Sequence, residues 1–65
     1  MRNAIKQART LAARMTALED KAWNGENLSE SEKLELDKLD VAVEEIANRN
    51  DVNYYQLRVK CEEIA

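Results

Sequence analysis

The chain contains no proline, histidine or phenylalanine, and it has one glycine and one cysteine among its 65 residues. With Gly25 as its only strong helix breaker, the sequence is free to form long helices. One cysteine excludes an internal disulfide, and the lack of histidine excludes the usual Cys/His zinc patterns. The lone thiol, Cys61, is typical of a reducing compartment, so the sequence predicts a cytoplasmic protein.

Several function classes are disfavoured by what is missing. No apolar run approaches the roughly 20 residues of a membrane span, so no membrane association is predicted. The sequence has no histidine base, no glycine-rich phosphate loop and no nucleophile beside an orienting group, so we predict neither an enzyme nor a cofactor. The acidic residues Asp37, Asp40 and Glu44 share a helix face, and we interpret them as a solvated surface rather than a metal site.

Apolar residues recur at helical spacing before the glycine, which predicts a helix over residues 3–23 with Asn3 as its N-cap. We expect Trp23 to cover the end of the bundle and Asn24-Gly25 to end the helix. The turn should occupy residues 24–28. The predicted heptad seam consists of Ala4, Ala8, Leu11, Met15, Leu18 and Ala22.

A second helix is predicted over residues 29–49. Ser29 and Glu32 have the spacing of a capping box, in which each side chain bonds the other residue's backbone amide. The seam of this helix consists of Leu36, Leu39, Val43 and Ile46.

Residues 48–53 leave two structures open. Four Asn and Asp residues in this stretch favour a break, with Asp51 capping a third helix over residues 51–64. The apolar seam nevertheless continues past the stretch, as it would in one uninterrupted helix with a stutter. Because the first helix is too short to cover this extension, the last segment must fold back or pair with a second copy. The residues predicted for self-association are Tyr54, Leu57, Cys61 and Ile64.

A second apolar stripe lies opposite the main seam if the helix is continuous. A helix that is apolar on two sides usually packs between two neighbours, so this stripe predicts a partner-binding surface. Its members are Leu34, Val41, Val52, Tyr55 and Val59.

Charge is divided unevenly along the chain, whose net charge is −3. Residues 1–23 carry five basic and two acidic side chains, whereas residues 24–65 carry five basic and eleven acidic ones. The basic residues Arg2, Lys6 and Arg9 form a stripe that could contact phosphates, but the acidic total argues against nucleic acid as the main partner.

The segment LSESEKLELDKLDVAVEEIANR at residues 28–49, with ARMTALEDKAWNGEN before it, resembles the scaffolding-like N-terminal helices of tailed-phage major capsid proteins. The resemblance implies a phage-type origin and association through helices. It brings no catalytic residue.

Together these patterns predict a single all-α domain over residues 1–65. The expected architecture is an antiparallel helical hairpin with a third helix or helical extension, assembled as a homodimer because so short a chain buries a small core. The predicted function is binding of a host or phage protein as a regulator or inhibitor. The alternatives are a self-associating scaffold and, as a minority possibility, nucleic-acid binding through the first helix.

Overall fold

The computed structural model describes the backbone of residues 2–64 and the side chains of residues 2–63. Within that range the chain forms three helices and no strand: α1 (Arg2–Trp23), α2 (Glu30–Arg49) and α3 (Tyr54–Ile64). The all-helical prediction is therefore confirmed. Of the two structures left open for residues 48–53, the chain adopts the break. No helix in the described part of the chain is long and apolar enough to cross a membrane.

Each helix junction is built from local hydrogen bonds. α1 ends in a Schellman motif at Gly25, whose φ of 86° belongs to the left-handed region. α2 then starts at the predicted capping box: the Ser29 hydroxyl accepts from the Glu32 amide at 3.2 Å, and the Ser29 amide donates to the Glu32 carboxylate at 2.9 Å.

Two predicted caps are wrong. Asn3 lies inside the first turn of α1, which already begins at Arg2. Asp51 does not cap α3; it adopts a φ of 55° and ends α2 in the left-handed conformation. The cap of α3 is Asn53, whose side-chain oxygen accepts from the amides of Tyr55 and Gln56 at 2.9 and 3.2 Å.

The core lies where the three helices meet. Two ion pairs, Arg14 with Glu35 and Lys21 with Glu32, link α1 to α2 beside this core. Small alanines on α1 let the other helices approach closely, and half-buried Ile5, Leu11, Leu36 and Leu39 extend the apolar packing. The buried residues are Ala4, Ala8, Ala12, Met15, Leu18, Val43, Ile46, Ala47, Leu57 and Cys61.

Two predictions need correction at the end of α1, the seam position of Ala22 and the covering role of Trp23. Ala22 is exposed, and Trp23 is 90% exposed rather than packed over the bundle end. Lys21 pairs with Glu32 in the first turn of α2, so Ala22 and Trp23 follow the last residue of α1 that is paired with α2 in the described part of the chain.

Candidate interaction surfaces

Four of the five residues predicted to bind a partner lie on the outside of the bundle. Leu34 and Val41 on α2, and Tyr55 and Val59 on α3, are between 47% and 75% exposed. We call these four residues the outer apolar set. Val52 is different, because it is half-buried against the core and its amide donates to the Ala47 carbonyl at 2.9 Å.

The residues predicted for self-association lie mainly inside the single chain. Leu57 and Cys61 are buried among residues of α1 and α2, and Tyr54 packs half-buried beside them. The side chain of Ile64 lies outside the described residues. Since α3 folds back onto its own chain, Leu57 and Cys61 would contact a second copy only after α3 leaves this position.

An acidic groove opens where α3 meets the other two helices. Its carboxylates are Glu19 on α1, Asp40 and Glu44 on α2, and Glu62 on α3. The remaining lining residues, all on α3, are Tyr54, Tyr55, Arg58 and Val59. We keep the name acidic groove for these eight residues.

Two polar contacts hold the groove together. The Arg58 guanidinium donates two hydrogen bonds to Glu19, at 2.6 and 3.1 Å, and so ties α3 to α1. The Tyr54 hydroxyl donates to Asp40 and ties α3 to α2. The sequence placed Asp40 on a solvated acidic face, but the structure leaves it half-buried and hydrogen-bonded.

These contacts change proton affinities within the groove. Burial, and then the hydrogen bond to Asp40, raise the pKa of Tyr54, so its phenol stays protonated at neutral pH. The hydrogen bonds to Glu19 raise the pKa of Arg58, which remains a cation. Arg58 Nε is buried without a hydrogen-bond partner within the described part of the chain.

The basic residues of α1 divide into two groups. Arg14 donates to Glu35 at 2.8 and 3.0 Å, and Lys21 donates to Glu32 at 2.9 and 3.2 Å. By contrast, Arg2, Lys6 and Arg9, which we call the basic stripe, pair with no carboxylate among the side chains of residues 2–63. Charge attraction between α1 and α2 therefore engages only the second half of α1.

The described residues offer little for catalysis or metal binding. Over the described part of the chain, no three His, Cys, Asp or Glu side chains are grouped to hold a metal ion. Burial raises the pKa of Cys61, which keeps the thiol protonated and weakens it as a nucleophile.

Comparison with known proteins found no matching family model, no matching curated protein and no matching solved structure. Any function assigned to the candidate surfaces must therefore be argued from their residues alone.

Two features were missed by sequence reasoning: the exposed Trp23 and the grouping of four carboxylates around Tyr54 and Arg58. Carboxylates from three helices meet in the groove only because α3 folds back. The spacing of residues along the chain therefore could not have revealed the groove.

Proposed function

We propose that this chain is a small protein–protein interaction module that regulates or inhibits another protein by binding it through the outer apolar set. The supporting observation is that one chain completes its own core while Leu34, Val41, Tyr55 and Val59 remain exposed. Single exposed apolar residues are common, but large ones repeated on the outer faces of two neighbouring helices are typical of interaction sites.

The composition of the outer apolar set also supports this function. Tyr55 is an amphipathic aromatic residue of the kind enriched at binding hot spots. Val41 directly follows Asp40, which lines the acidic groove together with Tyr55 and Val59. Leu34 lines a separate shallow pocket on α2 together with Leu39 and Ala42, so the outer apolar set extends over more than one region of the surface.

Further parts of the proposal come from the sequence. The antiparallel pair of α1 and α2 would serve as the rigid hairpin on which the binding residues are displayed. A cytoplasmic location follows from the lone thiol, and a phage-type origin follows from the resemblance to capsid-protein helices.

The alternative function, a self-associating structural module, is favoured by the complementary charges of the acidic groove and the basic stripe. Nucleic-acid binding through the basic stripe remains the minority candidate.

Affinity capture with matched variants tests the proposed function. Val41→Asp places a charge in the outer apolar set, whereas Ala17→Asp places the same charge on the exposed face of α1. We expect the first variant to lose the captured partner and the second to retain it, with equal helicity by circular dichroism. Equal capture by both variants would contradict the assignment of the binding surface.

A further inference from the structure

The acidic groove contains more negative charge than the chain itself neutralises. Glu19 is paired with Arg58, and Asp40 accepts a hydrogen bond from the neutral Tyr54 hydroxyl. Glu44 and Glu62 have no cationic partner among the side chains of residues 2–63. Beyond the Glu19–Arg58 pair, three carboxylates of the groove therefore remain without a cation.

The basic stripe has the opposite excess. Arg2, Lys6 and Arg9 are exposed and lie at helical spacings of four and three residues, so they project from one side of α1. They span about 10 Å along the helix axis at 1.5 Å per residue. The three cations of the basic stripe thus match in number the three carboxylates of the acidic groove that have no cationic partner.

Both charged surfaces also contain apolar side chains. The groove includes the exposed Tyr55 and Val59, while the half-buried Ile5 lies beside the basic stripe. An ion-pair network has a stronger effect when apolar groups beside it exclude water, because a lower local dielectric strengthens each pair. The two surfaces are therefore complementary in charge and each includes an apolar contribution.

We propose that the acidic groove of one copy of this chain binds the basic stripe of a second copy. Charge complementarity favours a second copy as the occupant, because every molecule carries both surfaces and ion pairs among residues 2–63 neutralise the groove only in part and the basic stripe not at all. The contact involves the exterior of the folded bundle and leaves Leu57 and Cys61 buried. Tyr55 and Val59 belong to both the acidic groove and the outer apolar set, but the proposed function is tested separately, by capture of a different protein at Val41.

Complementary charge predicts how this association behaves. Attraction between exposed charges weakens as salt shortens the screening length, from about 30 Å at 0.01 M to about 8 Å at 0.15 M. Complementary surfaces mainly accelerate encounter and fix the orientation of the partners. We therefore expect a salt-sensitive, concentration-dependent complex rather than a permanent dimer.

Sedimentation equilibrium of the full chain, with three variants, tests the inference. The groove variant carries Glu44→Arg and Glu62→Arg. The stripe variant carries Arg2→Glu, Lys6→Glu and Arg9→Glu. The control variant carries Glu26→Arg and Glu45→Arg, two exposed positions outside both surfaces, and it has the same net charge as the groove variant.

At low salt we expect the parent and the control variant to exceed the monomer mass, and the groove and stripe variants to remain monomeric. Mixing the groove and stripe variants should restore the complex, because each altered surface then meets its opposite. High salt should return every sample to the monomer. Circular dichroism should show equal helicity throughout.

Three outcomes would overturn the inference. The first is a parent that stays monomeric at low salt and millimolar concentration, whether or not it binds an arginine-rich peptide or an oligonucleotide. The second is a groove variant that associates as strongly as the parent. The third is a mixture of the groove and stripe variants that stays monomeric although both are folded.

Discussion

The two chain reversals of this molecule have the same backbone design and different residues. After α1, the Gly25 amide donates to Ala22 and the Glu26 amide donates to Lys21, at 3.1 and 3.2 Å. After α2, the Asp51 amide donates to Asn48 and the Val52 amide donates to Ala47, at 3.2 and 2.9 Å. Both are Schellman motifs with a left-handed residue at the same position.

The difference lies in what stabilises each reversal. Gly25 adopts the left-handed conformation without steric cost, and its surroundings are open. Asp51 has a Cβ atom and tolerates this conformation less well, but the next residue, Val52, packs against the core. The first reversal is thus specified locally by glycine, whereas the second depends on the packing of α3. This difference predicts how each region should respond to mutation and pH.

The largest expected effect comes from removing the packing that holds α3. Leu57 is fully buried, so Leu57→Ala leaves a cavity and should lower the free energy of unfolding by about 2–5 kcal/mol. For a domain of this size that loss consumes most of the stability. We expect thermal unfolding, followed by circular dichroism, to shift sharply downward in a single transition.

Leu34→Ala is the matched control for Leu57→Ala, because it makes the same change at an exposed position of α2. Its effect on the free energy of unfolding should stay within about 0.5 kcal/mol. If Leu57→Ala instead removes only the helicity of the 11 residues of α3, then α1 and α2 fold without it. That result would show that packing of α3 is not needed for the rest of the core.

Replacing the left-handed residue of each reversal should change the free energy of unfolding by a smaller amount, and in opposite directions at the two reversals. Gly25→Ala should destabilise the fold by about 1 kcal/mol, since alanine disfavours a positive φ even where its Cβ has space. Asp51→Gly relieves the same strain, although glycine increases the entropy of the unfolded chain, so we expect a gain below about 1 kcal/mol. Urea unfolding of both variants measures the two changes.

Equal losses in the two variants would contradict this comparison. In that case the carboxylate of Asp51 would have a stabilising role that glycine cannot replace. Asp51→Asn serves as the control, because asparagine also tolerates the left-handed conformation and lacks the charge.

The sequence predicted the first reversal more fully than the second for the same physical reason. Glycine after an apolar seam, followed by Ser29 and Glu32, is a pattern of local preferences, and the structure contains both the Schellman motif and the capping box. At residues 48–53 several Asn and Asp residues compete for the cap. The roles of Asp51 and Asn53 are decided by where Val52 packs, which is a tertiary effect.

The same limit applies to the candidate surfaces. The outward position of Leu34 and Val41 follows from helical periodicity along α2 alone. The acidic groove joins Glu19 with Glu62, 43 positions apart, and the Arg58–Glu19 contact forms only after α3 has folded back. Helical spacing within one segment cannot reveal such a site.

The smallest expected effect is on how stability depends on pH, which should differ between the two reversals. The hydrogen bond from the Ser29 amide, and then that from Lys21, lower the pKa of Glu32 from 4.5 to about 2. Because this pKa is lower in the folded chain, the stabilisation is complete above pH 4.5 and is lost as the pH falls towards 2. At the second reversal burial raises the pKa of Tyr54 above 10.0, so its contribution is complete below pH 10.0 and is lost at higher pH.

Acid should therefore weaken the start of α2, whereas alkali should loosen α3. Thermal midpoints measured across the pH range test both the loss of stability in acid (the acid limb) and the loss in alkali (the alkaline limb). Glu32→Gln is the control for the acid limb. Glutamine can keep the capping hydrogen bond but cannot titrate, so this variant should show a shallower loss of stability below pH 4.5 and an unchanged alkaline limb. An acid limb equally steep in both proteins would assign the loss to other carboxylates, among which Glu35, with its pKa lowered by Arg14, is the first to examine.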